Sequence, residues 1–284
     1  AIPYTDLAEA AARLDPVQAE PRPSGDWRFL GKTMPRLDMV PKVTGTAEFA
    51  VDVRLPGMRF ASLRMNPHLG APMRGFDAGA AETLPGVEKV VDLGGGVAVV
   101  ASNTWLAMQA ARAVEIDWAP APYPESSEEI FAAIEKSFLG SPNSTLRDDG
   151  DVSAEVAGGT EIAAEYRVPF LAHATMEPMT AAALYEDGRL HLWAGNQAPT
   201  VTRDRCAEAL GIDPGAVEVT TTLMGGGFGR RGEFDFAVYA ARLAREMEGT
   251  PVQLTWSREE DMTHDFYRPA AIGRYRGVVK DGSA

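Results

Sequence analysis

Short apolar segments alternate with polar turns over residues 45–120, and their spacing predicts a mixed α/β unit. A short helix is predicted at Asp77–Leu84, and Asn103 has the right chemistry to cap a second helix that runs to about Val114. The predicted strands are Thr46–Val51, Met58–Met65, Val87–Leu93, Val97–Ala101 and Glu115–Trp118. We therefore expect an α/β domain here, ended by the proline-rich segment Ala119–Pro124.

A second patterned region follows after a helix and a polar loop. Ser126 and Glu129 form a capping-box pattern at the start of the helix, and residues 140–159 are rich in Ser, Asp, Asn and Gly. Beyond them the predicted strands are Ile162–Tyr166, one with Leu190 and Leu192, Val217–Thr221 and Pro251–Trp256, and the predicted helices are Thr200–Leu210 and Glu233–Glu248. The alternation of strands and helices places the chain in the α/β (α+β) class.

The pattern divides the chain into four parts. Residues 1–44 have little pattern and several prolines, which indicates an extended linker. The α/β domain at 45–120 is followed by a helix and linker at 121–159. Residues 160–284 form a second, partial domain.

Composition narrows the classes of protein and partner. The 284 residues, 45% of them hydrophobic, are enough for a packed core, and no run of about 20 apolar residues predicts a membrane span. The net charge of −13, without a long basic run, disfavours nucleic acid as a partner. The single cysteine, Cys206, excludes a disulfide scaffold and a four-cysteine zinc site, so any iron–sulfur cluster must sit on another polypeptide. Because the chain starts with Ala1 and shows no signal peptide, we expect it to be a piece of a longer protein.

The strongest chemical feature is the loop Gly225–Arg231, which lies between a predicted strand and a predicted helix. Consecutive glycines let a ligand approach the backbone closely, and the start of a helix offers unpaired N–H groups. Arg230 and Arg231 add fixed positive charge. The expected ligand is an extended anionic cofactor.

Three interpretations of this loop compete. It can be an ordinary strand-to-helix turn whose arginines are solvated. It can be a dinucleotide-binding fingerprint, because Gly227-x-Gly229-x-x-Gly232 fits the motif and Glu259 stands roughly where a ribose partner is needed. The third interpretation, a molybdopterin loop, depends on support from elsewhere in the chain.

That support comes from several motifs in a fixed order. GTAEFAVDVRLPGMRFASL, LPGVEKVVDL and VAVVASNTWLAMQAARAVEIDW, between Gly45 and Trp118, resemble the hammerhead α/β domain of the xanthine oxidase and aldehyde oxidase family. HATMEP, LWAGNQAPTVTRDRCAEALG, GGGFGRR and PVQLTWSREEDM resemble the first part of the molybdopterin-binding domain of that family. The arginines after Gly-Phe-Gly are most similar to the isoquinoline 1-oxidoreductase type of large subunit. The resemblance covers about residues 30–284.

The resemblance also implies roles for individual residues. Gln197 matches the glutamine near the oxo group of the metal, and the loop backbone matches the part that lies against the metal–dithiolene end. The implied cofactor-binding residues are Gln197, Gly226, Gly227, Phe228, Gly229, Arg230 and Arg231. The two arginines depart from the glycine and lysine of the xanthine oxidases. Gly232 stands where those enzymes carry a substrate-binding glutamate, which argues against purine substrates.

The function implied by the resemblance is that of part of a molybdenum hydroxylase. Such an enzyme oxidises an aldehyde or an N-heteroaromatic carbon with oxygen derived from water. The expected cofactor is molybdopterin, in its cytosine dinucleotide form, and the expected partners are a separate iron–sulfur small subunit and the rest of the large subunit. The base glutamate is expected beyond residue 284, so no catalytic residue and no metal ligand is assigned, and this piece alone is expected to be inactive. The alternatives are an NAD(P)-binding dehydrogenase domain and a non-catalytic binding or assembly module.

Two further features have plainer interpretations. His173 and Glu177 are spaced like metal ligands on a helix, but Pro178 argues against a helix there, so we expect structural hydrogen bonds. Cys206 falls on the apolar side of a predicted helix and is expected to be a core residue rather than a nucleophile.

Overall fold

The computed structural model describes residues 2–151 and 158–280, so residues 152–157 of the predicted loop lie outside the described residues. The chain divides into two units, Ala1–Ala47 and Glu48–Ala284. The first unit contains helices α1 (Tyr4–Ala11) and α2 (Met39–Thr44), neither of which has a buried residue. No helix in the described residues is long and apolar enough to cross a membrane.

The second unit is built around a seven-stranded sheet. Its strands are β1 (Arg59–Met65), β3 (Val87–Asp92), β4 (Gly96–Ala101), β7 (Thr180–Glu186), β8 (Arg189–Ala194), β9 (Val217–Thr221) and β10 (Val252–Thr255). Their order across the sheet is β3-β4-β1-β10-β7-β8-β9. Two smaller antiparallel pairs are β2 (Met73–Asp77) with β5 (Glu115–Trp118), and β6 (Thr160–Val168) with β11 (Ala271–Val279).

The central sheet joins both patterned regions of the sequence. β1 pairs in parallel with β10, where Ala61 lies opposite Leu254, and β8 pairs in parallel with β9. The other neighbours in this sheet are antiparallel. The sheet therefore crosses the boundary between the regions 45–120 and 160–284, while the exact domain bounds stay a prediction.

Six helices of the second unit are α3 (Gly79–Glu82), α4 (Thr104–Ala113), α5 (Ser127–Lys136), α6 (Pro199–Leu210), α7 (Asp235–Glu246) and α8 (Arg258–Thr263). Along β4, Val97 and Val99 belong to the small core with α3 and α4, whereas Ala98 and Val100 belong to the large core with α6 and α7. This alternation is what the period of two in a strand requires. Helices thus cover both faces of the sheet, which confirms the α/β class.

Local signals were reliable where they involve caps and uniform apolar runs. The Asn103 side chain accepts the N–H of Leu106, and Ser126 with Glu129 forms the predicted capping box. The strand predicted at Thr46–Val51 is wrong: Phe49 makes only an isolated bridge, and residues 50–52 form a 3-10 turn. The reason is that Asp52 accepts the N–H of Phe49, which closes the backbone into that turn.

Candidate functional site

The glycine loop lies where β8 and β9 end, at the edge of the sheet. Because these two strands are parallel, their carboxyl ends meet at the same side, as in the ligand sites of many α/β proteins. Gln197 follows β8, and its N–H donates to the Arg231 carbonyl at 2.8 Å. Its side-chain Oε1 accepts the N–H of Gly229 at 3.2 Å. The structure therefore brings together Gln197 and the loop, the two parts of the chain to which the resemblance assigns cofactor contacts.

Two glycines of the loop lie too close to neighbouring residues for a side chain. A Cβ on Gly225 would stand 2.4 Å from the Cβ of Glu177. One on Gly227 would stand 2.8 Å from Oε1 of Gln197 and would push that amide away. Glycine is therefore a packing requirement at position 225, whereas at position 227 it keeps the Gln197 amide in place.

The outer side of the loop presents backbone donors and an exposed aromatic ring. Among the described residues, no acceptor is within hydrogen-bond reach of the N–H groups of Gly226, Gly227 and Phe228. Successive free N–H groups of this kind bind anionic or strongly polar oxygen and sulfur atoms. Phe228 has φ +55° and is 76% exposed, so the loop holds its ring in solvent. The Nε2 amide of Gln197 is likewise free to donate.

Arg231 is fully buried and ties the loop to its surroundings. Its guanidinium donates to the carbonyls of Gly226 at 2.8 Å and Gly195 at 3.1 Å. It also donates to the carbonyl and to Oε2 of Glu177, both at 2.9 Å. Burial lowers the pKa of Arg231, and the charge of Glu177 opposes that effect. Glu177 in turn accepts the N–H groups of Gly225 at 2.9 Å and Val51 at 3.1 Å.

Arg230 is also buried and lies among carboxylates and aromatic rings. It donates in bidentate fashion to Asp235 at 2.8 and 2.9 Å, and its Nε makes an ion-pair contact with Asp265 at 3.0 Å, without hydrogen-bond alignment. The rings of Trp256 and Phe266 lie 5.6 and 5.2 Å from its guanidinium carbon. Burial opposes its charge, but the carboxylates outweigh burial and raise the pKa of Arg230.

The burial of both arginines corrects two expectations. They do not offer free charge to an anionic ligand, and they are not the solvated side chains of an ordinary turn. The loop also does not lead straight into a helix, because a 3-10 turn at Arg230–Gly232 intervenes and α7 begins only at Asp235. The free N–H donors at this site therefore belong to the glycine loop and not, as expected, to the first turn of a helix.

His173 completes the surroundings of the loop. Its N–H donates to Asp265 Oδ2 at 2.6 Å, and its Nδ1 lies 3.0 Å from both carboxylate oxygens. The structural hydrogen bonds expected of His173 and Glu177 are confirmed. Sequence reasoning missed that these residues, with Asp235 and Asp265, hold the two arginines. The only signal was that His173 and Glu177 both belong to the HATMEP motif. Within residues 2–151 and 158–280, no group of three His, Cys, Asp or Glu side chains is arranged to hold a metal ion.

A fold of this kind, with a glycine loop that leaves backbone donors free beside a glutamine, is typical of cofactor-binding α/β proteins. Residues 139–283, about half of the chain, match the model of the molybdopterin cofactor-binding domain, and the chain belongs to that family. This membership confirms the resemblance to the xanthine oxidase and aldehyde oxidase family and decides against the dinucleotide-binding interpretation of Gly227–Gly232.

Relatives of known activity support the same placement. The beta chain of isoquinoline 1-oxidoreductase from Brevundimonas diminuta is 34% identical over 265 residues, which cover 89% of this chain and 34% of that protein. One of the subunits of nicotinate dehydrogenase from Pseudomonas putida is 28% identical over 247 residues, which cover 83% and 20%. The chain thus spans about a third or less of the length of these relatives.

Solved structures share the fold. Quinoline 2-oxidoreductase from Pseudomonas putida 86 superimposes with a TM-score of 0.70 at 20% identity, over 88% of this chain and 37% of that one. Aldehyde oxidoreductase from Desulfovibrio gigas gives a TM-score of 0.72 at 20% identity, over 91% and 33%. At such identities the likeness concerns the fold alone.

Proposed function

We propose that this chain is part of the large subunit of a molybdenum-containing hydroxylase or aldehyde dehydrogenase. Its reaction would be oxidation of an aldehyde or an N-heteroaromatic carbon with oxygen derived from water. The observation that carries the proposal is the convergence of Gln197 with the free N–H groups of Gly226–Phe228, in a chain of the molybdopterin-binding family.

The residues present fit molybdopterin. The loop offers a row of backbone donors that no side chain covers, and a glycine at 227 leaves room for the Gln197 amide. The cofactor, when bound, would supply the redox chemistry. The protein's own contribution would be to hold it on the backbone of Gly226–Gly229 and to donate one hydrogen bond from Gln197 Nε2. Arg230 and Arg231 would act from behind the loop, since their guanidinium groups fix its shape.

Position 232 supports the proposed substrate class. A Cβ on Gly232 would meet no atom within 4 Å, so this position offers space where the xanthine oxidases carry a glutamate. An aldehyde, or a heteroaromatic ring that needs no carboxylate contact at this position, suits such a site better than a purine. The names of the two relatives, isoquinoline 1-oxidoreductase and nicotinate dehydrogenase, are in keeping with that class.

The partners and the form of the cofactor belong to the same proposal. The single cysteine of this chain is too few thiolates for an iron–sulfur cluster, and the electron acceptor that we propose is a cluster on a separate small subunit. The relatives are named as subunits, which suits this arrangement. The cytosine dinucleotide form of molybdopterin is the form we propose.

The proposal is tested on the protein purified with its native partners. We expect molybdenum and pterin in equal amounts per polypeptide, released cytidine monophosphate after acid hydrolysis, and iron on a different subunit. With isoquinoline or an aldehyde in ¹⁸O-labelled water, the product should gain one heavy oxygen atom. A preparation without molybdenum, or a product whose oxygen comes from dioxygen, would contradict the proposal.

A further inference from the structure

His173 lies beside the glycine loop with only one of its ring nitrogens in use. Nδ1 and the backbone N–H both contact Asp265, whose side chain is 1% exposed. Nε2 has no hydrogen-bond partner among the described residues, although the side chain is only 19% exposed. Nε2 is not one of the buried polar atoms that lack a partner, so it is open to solvent or to a ligand.

The free nitrogen faces the loop. A Cβ on Gly229 would stand 3.7 Å from Nε2 of His173, and it would meet no other atom within 4 Å. The N–H of the same glycine donates to Gln197 Oε1. Gly229 therefore lies between the free ring nitrogen of His173 and the side chain of Gln197.

Asp265 determines what the free nitrogen can do. Arg230 has its bidentate partner in Asp235 and makes no aligned hydrogen bond to Asp265, so the Asp265 carboxylate can accept the Nδ1–H of His173. Asp261, a third carboxylate near Arg230, is paired with Arg258. With the proton on Nδ1, a neutral imidazole presents the lone pair of Nε2 as an acceptor.

We propose that His173 is a further cofactor contact, whose Nε2 accepts a hydrogen bond from an N–H group of the bound pterin, and that Asp265 is its positioning residue. This inference rests on the proposed function. It adds a side-chain acceptor to a site that otherwise presents the donors of Gly226–Phe228 and Gln197. A pterin carries both N–H donors and acceptor atoms, so recognition by both kinds of group is chemically suitable.

Two substitutions separate the two ends of the imidazole. In His173→Asn the amide reaches the position of Nδ1 and keeps the bond to Asp265, but nothing remains at Nε2. In His173→Gln the amide oxygen reaches the position of Nε2 and can accept there. The measurement is the rate of pterin release from the purified complex in mild urea. We expect about tenfold faster release for His173→Asn, as the loss of one hydrogen bond implies, and a rate near wild type for His173→Gln.

The controls distinguish this inference from the proposed function. His191→Asn removes an imidazole that stacks on Trp193 away from the loop, and it should release pterin at the wild-type rate. If wild type contains no pterin, the proposed function itself fails. If wild type is loaded and His173→Asn retains pterin as well as wild type does, the inference is overturned. It is also overturned if His173→Gln is the more damaging variant, since the role would then be structural and would act through Asp265.

Discussion

Phe228 and Ala174 both adopt left-handed backbone conformations, with φ +55° and +47°, on segments that touch each other. For residues other than glycine this costs on the order of 1 kcal/mol each. The ring of Phe228 is mostly exposed, so packing within the described residues does not offset that cost. The conformation is held by hydrogen bonds of the loop, including Arg230 N–H to the Gly227 carbonyl at 2.9 Å. Strain of this kind, without a packing benefit, is typical of a functional site.

The proposed function predicts a specific kinetic effect for substitution of Gln197. Among the described residues its side chain bonds only to the Gly229 N–H, at 3.2 Å, so Gln197→Ala should leave the fold and the molybdenum content nearly intact. The rate constant kcat should fall by about 10²–10³, equivalent to ~2.7–4 kcal/mol, because one donor to the reacting group is lost. Steady-state kinetics with metal analysis of the same sample checks this. A loaded variant with the wild-type kcat would show that Gln197 has no such role.

Glu177 links three separate segments at the level of secondary structure. Its carboxylate accepts N–H groups from the 3-10 turn at residues 50–52 and from the glycine loop, and it pairs with Arg231. These contacts connect the loop, which lies in region 160–284, to a turn that lies in region 45–120. The pair is buried, so its charges are compensated only while both partners are present.

Replacement of Glu177 by glutamine should therefore destabilise the protein strongly. The amide cannot compensate the charge of Arg231, and removal of one partner of a buried pair typically costs ~3–5 kcal/mol. The matched control is Glu208→Gln, which breaks the exposed pair between Arg205 and Glu208 and should change stability by less than about 1 kcal/mol. Urea unfolding gives both free energies. Equal effects of the two substitutions would mean that Glu177 does not brace the loop.

The sequence predicted those elements whose signals are local. β4 is a continuous apolar run, and α4 begins at a residue whose own side chain caps it. β7 was missed because TAAALYE follows Pro178 and has no polar–apolar alternation; as a central strand between β10 and β8 it is buried on both faces. β11 was missed because two glycines and two arginines interrupt its apolar residues, and the strand is completed only by pairing with β6.

The same limit applies to the candidate site. The meeting of Gln197 with the loop could be predicted, because both follow strands of one sheet. The burial of the Arg230 and Arg231 side chains could not be predicted, because it depends on partners from elsewhere in the chain. Arg231 and Glu177 are 54 residues apart, and no local pattern in the sequence indicates that they form an ion pair.

Across the second unit, one core connects strands that are far apart in sequence. Leu63 of β1 and Leu254 of β10 lie in the same buried cluster as Cys206 of α6. Because β1 pairs directly with β10, damage to β1 should weaken the part of the fold that carries the glycine loop. The second unit should accordingly unfold as one cooperative whole.

The single cysteine allows that cooperativity to be measured. Burial raises the pKa of Cys206 to about 12, so at neutral pH the folded protein contains a buried thiol that alkylating reagents should not modify. Leu63→Ala should cost ~2–5 kcal/mol and speed alkylation of Cys206 by roughly thirtyfold or more, although the two residues lie on different elements. Leu37→Ala, at a fully exposed position of the first unit, should have no effect. Unchanged labelling of a destabilised Leu63→Ala variant would show that the two halves of the sheet open independently.

The molybdenum content of two glycine variants shows most directly whether the glycine loop holds the cofactor. In Gly227→Val the new side chain would displace the Gln197 amide beside the free N–H groups, whereas in Gly232→Val it would enter open space. Since the atom in the way at position 227 belongs to a flexible side chain, both variants should fold. We expect Gly227→Val to lose molybdenum and activity, while Gly232→Val keeps its molybdenum. Full molybdenum and activity in Gly227→Val would show that the loop is an ordinary turn and does not hold the cofactor.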